Sequence, residues 1–166
     1  APKRGRTRRT RGQASGSPDR TVTAALLEQL TVGVGSKAGK PPRWLSLGLG
    51  DHLARRSERN SGYYRKLMAD AYELYDQGWV TKATDALADT SKTDDVRAVG
   101  FAVVEALAAR DRTILPELSR ELLPGGDKLD DAIGRVLNGT REDFFKFTGA
   151  FVDATQNGAG PAEAGE

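Results

Sequence analysis

An all-α fold follows from three features of this 166-residue chain. Apolar residues recur at three- and four-residue spacing over most of residues 18–155, helix breakers fall between those stretches, and a lone alternating stretch at Leu45, Leu47 and Leu49 has no second strand to pair with. With 38% hydrophobic and 29% charged residues there is enough apolar material for one core. The expected architecture is a compact bundle of about six to eight short helices. A disordered Arg-rich arm (residues 1–17) precedes the helical domain (18–155), and a disordered tail (156–166) follows it.

The arm, APKRGRTRRTRGQASGS, has no large apolar residue to bury, so it predicts disorder in the free chain. No apolar stretch follows its charges, which argues against a secretory signal. Ser17-Pro18-Asp19 is a helix-start signature: a capping hydroxyl, proline in the first turn and an acid near the positive end of the dipole. Val22, Leu26, Leu27 and Leu30 follow at helical spacing, and Gly33 ends the run. Residues 33–43, GVGSKAGKPPR, read as a Gly/Lys/Pro loop. From Trp44 to Asn60 helix is preferred to strand, because Leu45, Leu49 and Leu53 also fit one helix face.

Asn60-Ser61 caps the next expected helix, over 61–77, which carries Tyr64, Leu67, Met68, Ala71 and Tyr75 on one face. Gly78 closes it where a left-handed residue is needed. A shorter helix covers 79–89. Thr93-Asp94 starts a helix to Arg110 whose inner stripe is Val96, Val99, Val103 and Leu107. Phe101, Val104 and Ala106 make that helix apolar on more than one side, which predicts the central element of the core. Helices at 114–123 and 127–138 are separated by Pro124-Gly125-Gly126. Thr140-Arg141-Glu142-Asp143 opens the last, with Phe144, Phe147, Phe151 and Val152.

The net charge of +2 conceals a polar layout. Residues 1–20 carry +6, residues 37–66 another +6, and residues 67–166 carry −9. Such polarity suits a basic surface for a polyanion joined to an acidic body. Zero cysteines exclude a disulfide scaffold, a Cys-ligated zinc and a Cys nucleophile, and one histidine, His52, leaves no room for a His-rich metal centre. No apolar run is long enough to span a membrane.

Residues 33–40, GVGSKAGK, imitate a phosphate loop and fail its pattern. Val34 stands where the first glycine belongs, Pro41 replaces the magnesium-holding hydroxyl, and a helix precedes the loop in place of a strand. Lys37, Lys40 and Arg43 are better suited to touching backbone phosphates. The strongest motif is residues 51–66, DHLARRSERNSGYYRK. On a helix Arg55, Arg56 and Arg59 share a side, and Tyr63, Tyr64, Arg65 and Lys66 begin the next. Guanidinium forks bond phosphate bidentately, and neighbouring rings stack on unpaired bases. The competing reading is a solvated helix face with the tyrosines in the core. Trp44 and Trp79 read as core or interface residues.

Asp94-Asp95, Asp130-Asp131 and Glu142-Asp143 each fall in a first helical turn, where the dipole favours negative charge. Asp85 with Asp89, or Asp70 with Glu73 and Asp76, lack ligand spacing and read as solvated faces. His52 reads as a polar surface residue without a nucleophile. No catalytic set, cofactor or metal site is expected.

The expectation is therefore a non-enzymatic, cytoplasmic nucleic-acid-binding protein that holds phosphates with little sequence specificity, single-stranded RNA or DNA being favoured. Its nucleic-acid residues are Lys3, Arg4, Arg6, Arg8, Arg9, Arg11, Lys37, Lys40, Arg43, Arg55, Arg56, Arg59, Tyr63, Tyr64, Arg65 and Lys66. Protein partners in a nucleoprotein assembly, or self-association, complete the picture, with no membrane. By analogy of size and charge alone, small helical subunits of CRISPR effectors and armed capsid or packaging proteins are of this type. Two alternatives stand beside it. One is a sequence-specific regulator of plasmid or phage type, with Trp44–Leu49 as the strand of a ribbon–helix–helix. The other is an adaptor whose basic arm binds an acidic protein.

Overall fold

The computed structural model describes residues 41–57, 62–122 and 128–158. Among these residues the chain is all helix and turn: α1 (Arg43–Ser57), α2 (Gly62–Asp76), α3 (Trp79–Leu87), α4 (Thr93–Arg110), α5 (Ile114–Leu122), α6 (Leu129–Leu137) and α7 (Arg141–Gln156). Residues 44–50 are helical, so the strand required by the ribbon–helix–helix alternative is absent and that reading falls. The arm, the segment 18–33 with its loop as far as residue 40, the Asn60-Ser61 cap and Pro124-Gly125-Gly126 lie outside the described residues, as do residues 159–166 of the expected tail. The tail's first residue, Gln156, instead completes α7.

The helix α4 is the axis of the fold. Eleven of its 18 residues, in an unbroken run from Ala98 to Leu107 plus Val96, are buried. Burial of each large side chain on such a helix stabilises by about 1.5–3 kcal/mol as an upper estimate. The helices α1, α2, α3, α5 and α7 all pack on it.

The most extensive of these contacts is with α1. Its N-terminal half, Trp44 and Leu45, is buried, and Gly48 meets Gly100. A Cβ on Gly48 would collide with the Gly100 carbonyl oxygen and lie 2.9 Å from a Val104 methyl. One on Gly100 would strike the Trp44 carbonyl. Neither glycine serves a turn; both allow two backbones to touch. Arg43 bonds Thr93 and Arg55 pairs with Glu105, so α1 and α4 run in roughly the same direction.

Local signals set the ends of several elements. Gly78, between α2 and α3, has φ +108°, a conformation that side chains resist. Thr140 caps α7 with a reciprocal pair: its hydroxyl accepts from the Asp143 amide at 3.1 Å, and the Asp143 carboxylate accepts from the Thr140 amide at 2.9 Å. The Thr140 hydroxyl also donates to that carboxylate at 2.6 Å, and this bond, followed by the one from the Thr140 amide, holds the Asp143 carboxyl below its ordinary pKa. Asp94 and Asp95, Asp130 and Asp131, and Glu142 and Asp143 all occupy first turns, as expected. The start of α4 differs in detail. Lys92 is the capping position and makes no side-chain cap, while the Thr93 hydroxyl accepts from Arg43.

Both tryptophans are core residues. Trp79 donates to the Thr148 hydroxyl at 3.0 Å and rests on Gly149 of α7, where a Cβ would sit 2.8 Å from its ring. A small second cluster, Ala54, Tyr64, Leu67 and Phe101, lies where α1 and α2 meet α4.

Candidate nucleic-acid interface

Basic residues gather where α1 ends and α2 begins. Arg55 and Arg56 occupy the last turn of α1, the negative end of its dipole, where cations are favoured. Tyr63, Tyr64, Arg65 and Lys66 occupy the first turns of α2. Arg59, and all the candidates from Lys3 to Lys40, lie outside the described residues.

The described candidates divide by environment. Arg56 and Arg65 are exposed and pair with no acid among the described residues. Lys66 is also exposed but grips Asp70 one turn on, at 2.7 Å, which raises its pKa. So exposed a pair contributes little and leaves the ammonium accessible. Arg43 lies at the other end of α1. Its guanidinium donates to Asp89 at 3.0 Å and Thr93 at 2.7 Å, fastening α1 to the α3–α4 turn. The side chain stays 43% exposed while it makes these bonds, so it has a structural role besides the expected phosphate contact.

Arg55 and His52 form a cluster that the sequence did not suggest. Glu105, in the middle of buried α4, receives Arg55 on one carboxylate oxygen and lies 2.8 Å from His52 Nδ1 on the other. A carboxylate in an apolar helix requires such partners, because an unpaired buried charge is strongly disfavoured. The His52 side chain is only 18% exposed, which corrects its reading as a surface residue. Arg55 keeps 46% of its side chain exposed, so its guanidinium serves the carboxylate and still faces solvent.

A second ionic link lies nearby. Asp51, 1% exposed, accepts from Arg97 Nε at 2.7 Å and Nη2 at 3.1 Å. The hydrogen bond to Asp51 raises the Arg97 pKa against the opposing effect of burial. The Arg97 guanidinium also sits over the Tyr63 ring, 5.8 Å from its centroid, within cation–π range.

Both tyrosines are therefore held by the fold. Tyr64 is buried against Phe101, with ring centroids 5.9 Å apart, and meets Tyr63 edge-on. Tyr64 is a core residue, and its expected role as an open stacking platform is corrected accordingly. The apolar spacing that placed Tyr64 on the inner face of α2 already carried this signal.

Arg55, Tyr64 and Arg65 nonetheless converge on one feature, a half-open cleft of about 470 Å³ between α1, α2, α4 and α7. Met68 and Phe151 form apolar parts of its wall, and Glu105 lies within it. Among the described residues no group of three or more His, Asp or Glu is placed to hold a metal ion. None of the described helices is long and apolar enough to cross a membrane. No protein-family model, curated protein or solved structure matches this chain.

Glu105, Arg97, Gly48 and Gly100 are the residues that the sequence reading missed. A single acid within the buried run from Ala98 to Leu107 is a demand for a cation elsewhere in the chain. Glycines inside helical stretches likewise signal close backbone approach.

Proposed function

We propose that this chain is a non-enzymatic, single-stranded nucleic-acid-binding protein of the cytoplasm that works within a nucleoprotein assembly. The observation that carries the reading is the gathering of exposed Arg55, Arg56 and Arg65 at the α1–α2 junction. They belong to a segment, 37–66, that carries +6, and the arm before it adds a comparable charge. Planar guanidinium forks suit phosphate oxygens, and one exposed cluster preceded by an arm of cations can track several consecutive phosphates. Nothing in this arrangement of cations depends on base identity. The acidic remainder of the chain favours protein neighbours, or other copies, over a second strand of nucleic acid.

Fluorescence anisotropy with labelled single-stranded RNA, single-stranded DNA and duplex DNA over a salt series tests the proposal. The full-length chain is compared with variants in which Arg56 and Arg65, or the six cations of the arm, become Gln. Micromolar or tighter binding to a single strand is expected, with a log–log salt slope of about −4 to −5 for roughly six neutralised phosphates. Both variants should lower affinity and flatten that slope. Absence of binding to all three nucleic acids at low salt would sink the proposal and favour an acidic protein as the arm's partner.

A further inference from the structure

We propose that the cleft between α1, α2, α4 and α7 receives one unstacked nucleotide whose base carries an exocyclic amino group. This rests on the single-strand reading above and adds to it a base preference at one position. The cleft volume of about 470 Å³ lies within the range of about 300–1,000 Å³ typical of small-ligand sites. Its lining is graded as a nucleotide requires. Arg55 and Arg65 are exposed and stand at its mouth, Met68 and Phe151 give an apolar wall, and Glu105 is nearly buried inside.

The charges select the ligand's two ends. Two arginines outweigh one carboxylate that is already shared with Arg55 and His52, so the mouth favours an anion and fits a phosphate. Inside, each oxygen of Glu105 receives one partner, and a carboxylate oxygen can accept two. The remaining capacity is for acceptance alone. It suits the N4 amino group of cytosine, whereas uracil turns a carbonyl oxygen towards it. A wholly apolar occupant would bury this capacity without using it, which disfavours a hydrophobic helix there.

The comparison of oligo-rC with oligo-rU isolates this contact, since the two rings have the same size. In anisotropy titrations of the full-length protein at fixed low salt, oligo-rC should bind about three- to tenfold more tightly, the value of one added hydrogen bond. Ala109→Trp fills the cleft from an exposed position and spares the core. It should abolish the preference by weakening oligo-rC more than oligo-rU, with the salt slope unchanged. Glu105→Gln should move the ratio towards unity, and circular dichroism reports whether that variant still folds. Cytidine monophosphate as competitor separates the two sources of the ligand: displacement only at millimolar concentration fits a strand-borne nucleotide, and displacement at micromolar concentration overturns it in favour of a free one. Equal affinity for the two oligomers, or a preference that survives Ala109→Trp, would overturn the inference while leaving single-strand binding intact. A preserved preference with an altered oligomeric state would assign the cleft to a protein contact. Failure of every oligomer to bind removes the underlying reading as well.

Discussion

The two halves of α1 are attached to α4 by different physics. Beyond the exposed bond from Arg43 to Thr93 at its start, the N-terminal half is apolar and close: Trp44 and Leu45 are buried, and Gly48 lies directly on Gly100. In the C-terminal half the attachment is ionic, through Asp51 to Arg97 and through His52 and Arg55 to Glu105. Close packing fixes a distance between helices and leaves no chemistry at the surface. Ionic attachment fixes partners and leaves part of a guanidinium, that of Arg55, in solvent. The basic junction can therefore be both a structural joint and a surface for anions.

The largest effect is expected where an ionic link is cut from one side. Arg97→Met leaves Asp51 buried without its bidentate partner and should destabilise the fold by about 3 kcal/mol. Chemical denaturation of the single and double variants measures this. If Asp51→Leu combined with Arg97→Met restores stability, the pair acts through mutual compensation and not through net attraction.

Next comes the apolar half. Gly48→Ala forces the two backbones apart and should cost about 2 kcal/mol, against the small gain such a change usually brings within a helix. A stability equal to or above that of the natural chain would show that α1 can slide on α4, and the contrast between its halves would then weaken. Gly50, on the same helix with open space around it, is the matched control.

The smallest effect should come from a site belonging to neither half. Thr140→Ala removes the cap of α7 and should cost about 1 kcal/mol. Its partner adds a pH dependence. The Asp143 carboxyl titrates below its ordinary value in the folded chain, so the stabilisation is present above the usual carboxylate pKa and is lost as pH falls through the lower, folded value. Thermal melts of Asp143→Asn taken from about pH 6 downwards should show a shallower acid loss than the natural chain. Parallel curves would remove Asp143 from the cap's energetics.

The fold was legible where one element suffices to state the reason. Thr140 and Asp143 announce a cap within four residues, Gly78 a left-handed turn, and the Val96–Leu107 run a helix with no wet face. The joint between α1 and α4 was illegible because its members are some fifty residues apart. Asp51 beside His52 looks like part of a polar surface until Arg97 and Glu105 are brought beside them. Leu45, Leu47 and Leu49 alternate like a strand because α1 turns apolar residues towards more than one neighbour, a tertiary cause that no local period records. At the candidate interface Arg56 and Arg65 are exposed, as a phosphate-facing role requires, while Tyr64 was legible as a core residue from spacing alone.

Enclosure of α4 has a consequence for motion. Its amides between Ala98 and Leu107 are hydrogen-bonded within a helix whose side chains are covered by five others. Local fraying can reach α7 or the ends of α1, but solvent meets the middle of α4 only when the surrounding helices come apart. Deuterium would therefore enter that stretch last, and at a rate that reports the opening of the whole domain.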